Sequence, residues 1–146
     1  MKYDYSYNET EYKTPKELYT KALNFFKISQ FDLDVCCSEH NIPATFYYTK
    51  AEDGLTSEWM QYNWCNPPFA ECKKWVVKAY EEQQKGSNTA MLIPARTETA
   101  YYHDYILHND KVVIEWLRKG YCFLDKDNNP MGVFKNALAL IYFRGA

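Results

Sequence analysis

The stretch Tyr62-Asn63-Trp64-Cys65-Asn66-Pro67-Pro68-Phe69 passes from a short β-favouring run into two consecutive prolines. Residues 62–65 predict a strand. Beyond Phe69, the residues Cys72, Trp75, Val76, Ala79, Tyr80 and Gln83 recur at spacings of three and four as far as Gly86, which predicts a helix with a glycine stop. Downstream, Thr89 to Pro94 reads as another strand, Glu98 to His108 as a helix and Lys111 to Trp116 as a strand. Gly120 to Phe123 opens a hairpin turning over Asp125 to Pro130, and Ala137 to Phe143 is a nearly continuous apolar strand. Upstream, Thr14-Pro15-Lys16-Glu17 reads as a capping box with proline at the first helical position, followed by an apolar face at Leu18, Ala22, Phe25 and Phe26. Phe31 to Cys36 and Ala44 to Thr49 are strands. Strands alternating with helices predict one α/β domain over residues 1–146, its sheet covered on both faces, with the first dozen residues a loosely held arm.

The same stretch carries chemistry. Consecutive prolines fix backbone dihedrals, remove two amide donors and push each preceding residue into an extended conformation. The result is a rigid turn with carbonyl oxygens pointing outward. An exocyclic amino nitrogen on adenine is a poor nucleophile because its lone pair is delocalised into the ring. Two acceptors, the Asn66 side-chain oxygen and the Pro67 carbonyl, can take its two N–H groups and draw it toward tetrahedral geometry. Phe69 can stack on a base swung out of a duplex. With a strongly electrophilic methyl donor, orientation and electrostatics suffice. Taken alone, Asn-Pro-Pro is equally a turn that punctuates a loop.

Composition narrows the classes. The 146 residues suit one domain, and an aromatic share of 18% argues for a folded globule. No apolar run approaches the roughly 18 residues of a spanning helix, and the start, Met1-Lys2-Tyr3-Asp4-Tyr5, lacks a signal-peptide core, so a cytoplasmic protein is expected. The five cysteines, Cys36, Cys37, Cys65, Cys72 and Cys122, form no CxxC pair and read as reduced, mostly buried thiols. His103 and His108, five apart on one expected helix, should lie on different faces, and no metal is expected. A formal charge of −2 is unusual for a protein that meets nucleic acid. Basic residues at Lys73-Lys74, Arg96, Arg118-Lys119 and Lys135 would need the fold to gather them on one face.

Over most of its length the chain resembles the phage-type DNA N6-adenine methyltransferase (Dam) family. The likeness runs through Thr14-Pro15, residues 31–36, Asn41, Asp53-Gly54-Leu55, residues 64–69, Trp75, Lys78-Ala79, residues 92–95, Thr97, Thr99, Gly120 and Phe123. It implies a compact Rossmann-like S-adenosylmethionine-dependent methyltransferase core with a mostly parallel sheet and no separate target-recognition domain. It also implies methylation of adenine N6 in double-stranded DNA with the base flipped, and a role such as protecting phage DNA from restriction. Asn66, Pro67, Pro68 and Phe69 match the catalytic loop. Thr14 and Pro15 match the segment near the methionine part of S-adenosyl-L-methionine, Asp34 a strand end that meets the cofactor, and Asp53 an acidic position near its adenine. Lys73, Lys74, Arg96 and Arg118 are the expected DNA contacts, pooled by a homodimer on a palindromic site. Two departures stand out: residues 35–40 lack glycine, and Gly120-Tyr121 stands where Gly-Arg is expected, with Arg118 the substitute. The competing readings are an RNA or protein-glutamine amino methyltransferase, and a catalytically silent binding module.

Overall fold

The computed structural model of the protein describes residues 13–37, 40–118, 121–125, 127–133 and 136–145. The expected arm over residues 1–12, and Lys119, Gly120 and Lys135, lie outside the described residues. Helix α1 spans Lys16–Phe26, β1 Phe31–Asp34, β2 Ala44–Tyr47 and β3 Tyr62–Cys65. A single 3₁₀ turn at Phe69–Glu71 leads into α2, Cys72–Gln84, followed by β4, Asn88–Pro94. Helix α3 begins at Ala100–Tyr102 and widens into a π-helical turn at His103–Leu107. Strand β5 covers Val112–Trp116, β6 Cys122–Leu124, β7 Pro130–Val133 and β8 Leu138–Phe143.

Six strands form one sheet in the order β2-β1-β3-β4-β8-β5, and β6 and β7 pair separately as a hairpin. The pairings β1–β2, β1–β3 and β3–β4 are parallel, whereas β8 runs antiparallel to both β4 and β5. The sheet is mixed, its parallel pairing confined to the β2-β1-β3-β4 half. The reason lies in β8, where every residue from Leu138 to Phe143 is buried. A continuous apolar run is compatible with either strand direction, so its sequence does not specify one.

Alternation along the strands divides the core between the two faces of the sheet. On one face Leu33, Cys65, Met91, Ile93 and Ile141 pack with Trp75, Val76 and Ala79 of α2 and Tyr102 and Ile106 of α3. On the other, Trp64, Leu92, Leu140 and Tyr142 pack with Leu18 and Ala22 of α1, joined by Phe31 from the start of β1. Helix α2 ends as its glycine predicts: Gly86 has φ +103°, and the Gly86 and Ser87 amides donate back to Gln83 and Glu82.

Two local expectations are corrected. Pro15, extended with ψ 142°, occupies the N-cap of α1, so Thr14 lies one residue before the cap and its capping box with Glu17 does not form. His103 and His108 do not point apart, because a π-helical turn brings positions five apart onto one side, and their ring centroids lie 6.1 Å from each other. No described helix is long and apolar enough to cross a membrane.

The strand order marks a candidate position for a ligand. From β1 the chain moves outward to β2, then crosses back over β1 to β3 and onward to β4. The direction of winding therefore reverses between β1 and β3, and open α/β sheets bind ligands in the crevice beyond the carboxyl ends of such a pair. Across that crevice the loop after β2 is clamped tightly: a Cβ built on Gly54 would lie 2.1 Å from the Val35 carbonyl oxygen and 3.1 Å from the Trp75 ring. Gly54→Ala is expected to destabilise the fold by about 1–3 kcal/mol, the usual cost of overpacking, visible as a lower thermal midpoint. An unchanged midpoint would show that the loop can lift away.

Candidate active site

Prolines 67 and 68 cannot donate to a neighbouring strand, so the ladder of β3 stops at Cys65, which still pairs with Met91 of β4. Asn66 is thereby delivered just beyond the sheet. Its Nδ2 donates to the Thr14 hydroxyl oxygen at 3.0 Å, across 52 positions of sequence. Among the described residues, none donates a hydrogen bond to Asn66 Oδ1 or to the Pro67 carbonyl, whereas the Pro68 carbonyl accepts from the Glu71 amide at 3.0 Å within the 3₁₀ turn. The loop thus holds two oxygen acceptors from consecutive residues in reserve. Phe69, partly buried, meets the buried Phe123 edge-on at 6.1 Å between ring centroids.

Asp34 closes β1 and lies opposite Trp64, so Asn66 sits two residues, or about 7 Å of strand rise, further along the neighbouring strand. Only 2% of Asp34 is exposed, and one of its oxygens, Oδ1, accepts a 3.3 Å bond from the Cys36 amide. Burial pushes this carboxyl up to about 7, against the weaker opposing pull of the Cys36 bond. The surrounding thiols stay protonated: burial raises Cys72 to about 12 and holds Cys65 well above the ordinary thiol range. The four cysteines at 36, 37, 65 and 72 are buried thiols. A thiolate is therefore not the nucleophile offered here.

Asp53 sits in the β2–β3 loop with φ +56°, its Oδ1 accepting from the Leu55 amide at 3.2 Å and its carbonyl from the Thr56 and Ser57 amides. It is buried and shapes its own turn. The close approach of Gly54 to Val35 sets this turn against the residue that follows Asp34. The glycine absent after β1 has thus a counterpart on the facing loop. That loop is secured by a residue the sequence pattern left unassigned. Glu82, buried on α2, accepts from the Trp59 amide at 2.6 Å and is paired with Lys85 at 2.9 Å, while Trp59 Nε1 donates to the Gly54 carbonyl at 2.8 Å. Glu82 falls three and seven positions beyond Ala79 and Trp75, on the helix face that points inward, and a carboxylate at that register was its only signal.

The expected basic residues converge on the same end of the sheet. Lys73 and Lys74 open α2 and are exposed, and Arg96 and Arg118 follow β4 and β5 on either side of residue 137, which pairs through its carbonyl with the Ala95 amide. Two of the four already face carboxylates: Lys74 meets Glu71 at 3.0 Å and Arg96 meets Glu98 at 2.8 Å.

Against known proteins, the model of the family described as DNA N-6-adenine-methyltransferase (Dam) matches residues 6–144. The chain belongs to this family. It is 28% identical over 102 residues to the DNA N-6-adenine-methyltransferase of Haemophilus phage HP1 (strain HP1c1), covering 69% of this chain and 58% of that one. It is 28% identical over 93 residues to the DNA N-6-adenine-methyltransferase of Escherichia phage T1, covering 62% of this chain and 38% of that one. The chain therefore spans little more than half, or less, of the curated relatives it matches. No solved structure matches it.

The raised Asp34 carboxyl makes a stability prediction. An aspartate in the unfolded chain titrates near 3.8, so between that value and about 7 the folded state binds the extra proton. Stability must therefore be lost as pH rises through this window and stay low above it. Asp34→Asn removes the ionisation and is expected to unfold at a higher temperature than the natural chain at pH 8, with the gap closing toward pH 4. A gap independent of pH would mean that the carboxyl is solvated.

Proposed function

We propose that this protein is an S-adenosylmethionine-dependent methyltransferase acting on the N6 amino group of an adenine swung out of double-stranded DNA. Within this reading the fold is a compact Rossmann-like core with its site at the carboxyl ends of β1 and β3. The observation that carries it is the orientation of Asn66, whose amide nitrogen is taken by Thr14 so that its oxygen is left over. A site with two free acceptors in adjacent residues suits a group with two N–H donors, and an exocyclic amino group is one. Asn66 Oδ1 and the Pro67 carbonyl accept those two hydrogens, and Phe69, supported by Phe123, offers its face to the base.

The donor set fits the cofactor. S-adenosylmethionine supplies an electrophilic methyl group carried on a sulfonium centre, and it also bears an ammonium, a carboxylate and ribose hydroxyls. Asp34 is a buried carboxyl with only one hydrogen bond among the described residues, so a cationic or hydroxyl-bearing ligand would restore the charge that burial suppresses. Asp53 would serve the adenosine end, while the first amides of α1, just after Pro15, would take the carboxylate. The names of the two phage relatives and the family place DNA ahead of RNA or a glutamine amide as the acceptor. Lys73, Lys74, Arg96 and Arg118 would take the phosphates, and their exposure at the carboxyl end of the sheet supports that assignment.

Purified protein incubated with tritiated S-adenosylmethionine and unmethylated duplex DNA is expected to place label on adenine N6, and Asn66→Ala to reduce turnover on the order of 10²-fold while cofactor affinity is kept. Near-normal turnover by this variant would remove Asn66 from the chemistry. Binding to DNA should weaken steeply with added salt, and the Lys73→Glu, Lys74→Glu double variant should have both lower affinity and a shallower salt slope, since each lost phosphate contact releases about one counterion fewer. Affinity indifferent to salt would exclude a nucleic-acid substrate.

A further inference from the structure

We infer that Thr14 is a positioning residue for the catalytic amide: it turns Asn66 so that an oxygen, and not an N–H, faces the base. This selects bases bearing an amino group over those bearing a keto oxygen. The inference rests on the methyltransferase reading above and assigns Thr14 a part in base selection, distinct from the cofactor contact that the family likeness implies.

A primary amide has two ends of nearly equal size and opposite hydrogen-bonding character. Left alone beyond the end of β3, the Asn66 side chain could present either one. Its Nδ2 is held by the Thr14 hydroxyl at 3.0 Å, which leaves Oδ1 for the substrate. An adenine amino group donates to that oxygen, whereas a keto oxygen would repel it.

The Thr14 side chain is a fixed partner because the backbone on both sides of it is anchored. Lys13 and Leu124 exchange two backbone bonds, of 2.7 and 3.0 Å, tying the preceding residue to the β6–β7 hairpin. On the other side the Pro15 carbonyl accepts from the Leu18 amide at 3.0 Å, where α1 begins. Thr14 itself is buried. Because Pro15 and not Thr14 is the N-cap of α1, the Thr14 hydroxyl lies outside the cap position and meets Asn66 instead. The hairpin contributes twice, since Phe123 beside Leu124 packs against Phe69, so both functional residues of the catalytic loop are held by the same two segments.

The test compares Thr14→Val, which keeps the shape and removes the acceptor, with Thr14→Ser, which keeps the acceptor. Initial rates on adenine-containing duplex DNA at saturating cofactor and DNA are measured beside cofactor affinity by calorimetry. Thr14→Val is expected to lower kcat about tenfold with the cofactor Kd unchanged within twofold, and Thr14→Ser to restore most of the rate. In the Asn66→Ala background, Thr14→Val should cost nothing further, because the amide it orients is gone. A natural kcat in Thr14→Val, a rise in cofactor Kd accounting for the loss, or an additive effect in the double variant would each overturn the inference. Absence of any adenine methylation by the natural chain would instead overturn the reading on which it rests, and the inference with it.

Discussion

Proline nitrogens at 67 and 68 carry no hydrogen, so the central strand β3 cannot extend its ladder past Cys65. Everything at the carboxyl end of the sheet is arranged around that stop. The chain leaves the plane between β1 and β4, makes one tight turn at Phe69–Glu71 and enters α2, whose inward face then builds half the core. The same constraint that ends the sheet leaves the Pro67 carbonyl without a donor from the described residues and places Asn66 where Thr14 can reach it. Under the proposed function rigidity matters, because the acceptor pair would have to be in position before the substrate arrives, and two prolines limit its alternatives at small entropic cost.

Two carboxyls are buried at opposite ends of the sheet, Asp34 at the carboxyl end of β1 and Glu82 near the amino end of β4, and burial of each works against folding. Asp34 is an ionisable group held in the interior by one backbone amide, and Glu82 is an anion buried under the β2–β3 loop. They differ in how they are compensated. Burial alone would raise both carboxyls, but for Glu82 the ion pair with Lys85, the Trp59 amide and Lys78 together outweigh it and lower the group below its ordinary value. Asp34 has no such cation beside it among the described residues, and stays raised. The contrast separates a carboxylate compensated by neighbouring cations from one that burial leaves prone to bind a proton.

Much of this arrangement was legible in the residues, because strand and helix periodicities are strong and the proline pair is unambiguous. The strand at 62–65 and the inward face of α2 from Cys72 to Gln83 follow directly from pattern. Three features were not legible, each for a physical reason. Thr14 and Glu17 have the local signature of a capping box, but Pro15 is the N-cap and Thr14 meets a tertiary partner 52 positions away, and no local pattern carries that information. The meeting of His103 and His108 depends on a π-helical turn that residue spacing alone does not announce. The direction of β8 is hidden because an all-apolar strand presents the same face either way up. Within the site, Asn66, Pro67 and Asp34 could be named from sequence, while Glu82 and Phe123 act through contacts that only the folded chain makes.

The place of β8 has a consequence for how the molecule comes into being. Strands β4 and β5 are not sheet neighbours of each other: β4 pairs with β3 on one side and β8 on the other, and β5 pairs with β8, whose residues 138–143 come after both in the chain. During synthesis β4 therefore waits with an open edge carrying Met91, Leu92 and Ile93, all of them buried in the finished fold. A polypeptide emerging at the ribosome would keep that apolar edge unpaired for nearly 50 residues of elongation, a few seconds at about 5–20 residues per second. Completion of the sheet is then a threading of the late strand between two earlier ones, a long-range step of the kind that slows folding and exposes nascent chains to edge-to-edge association.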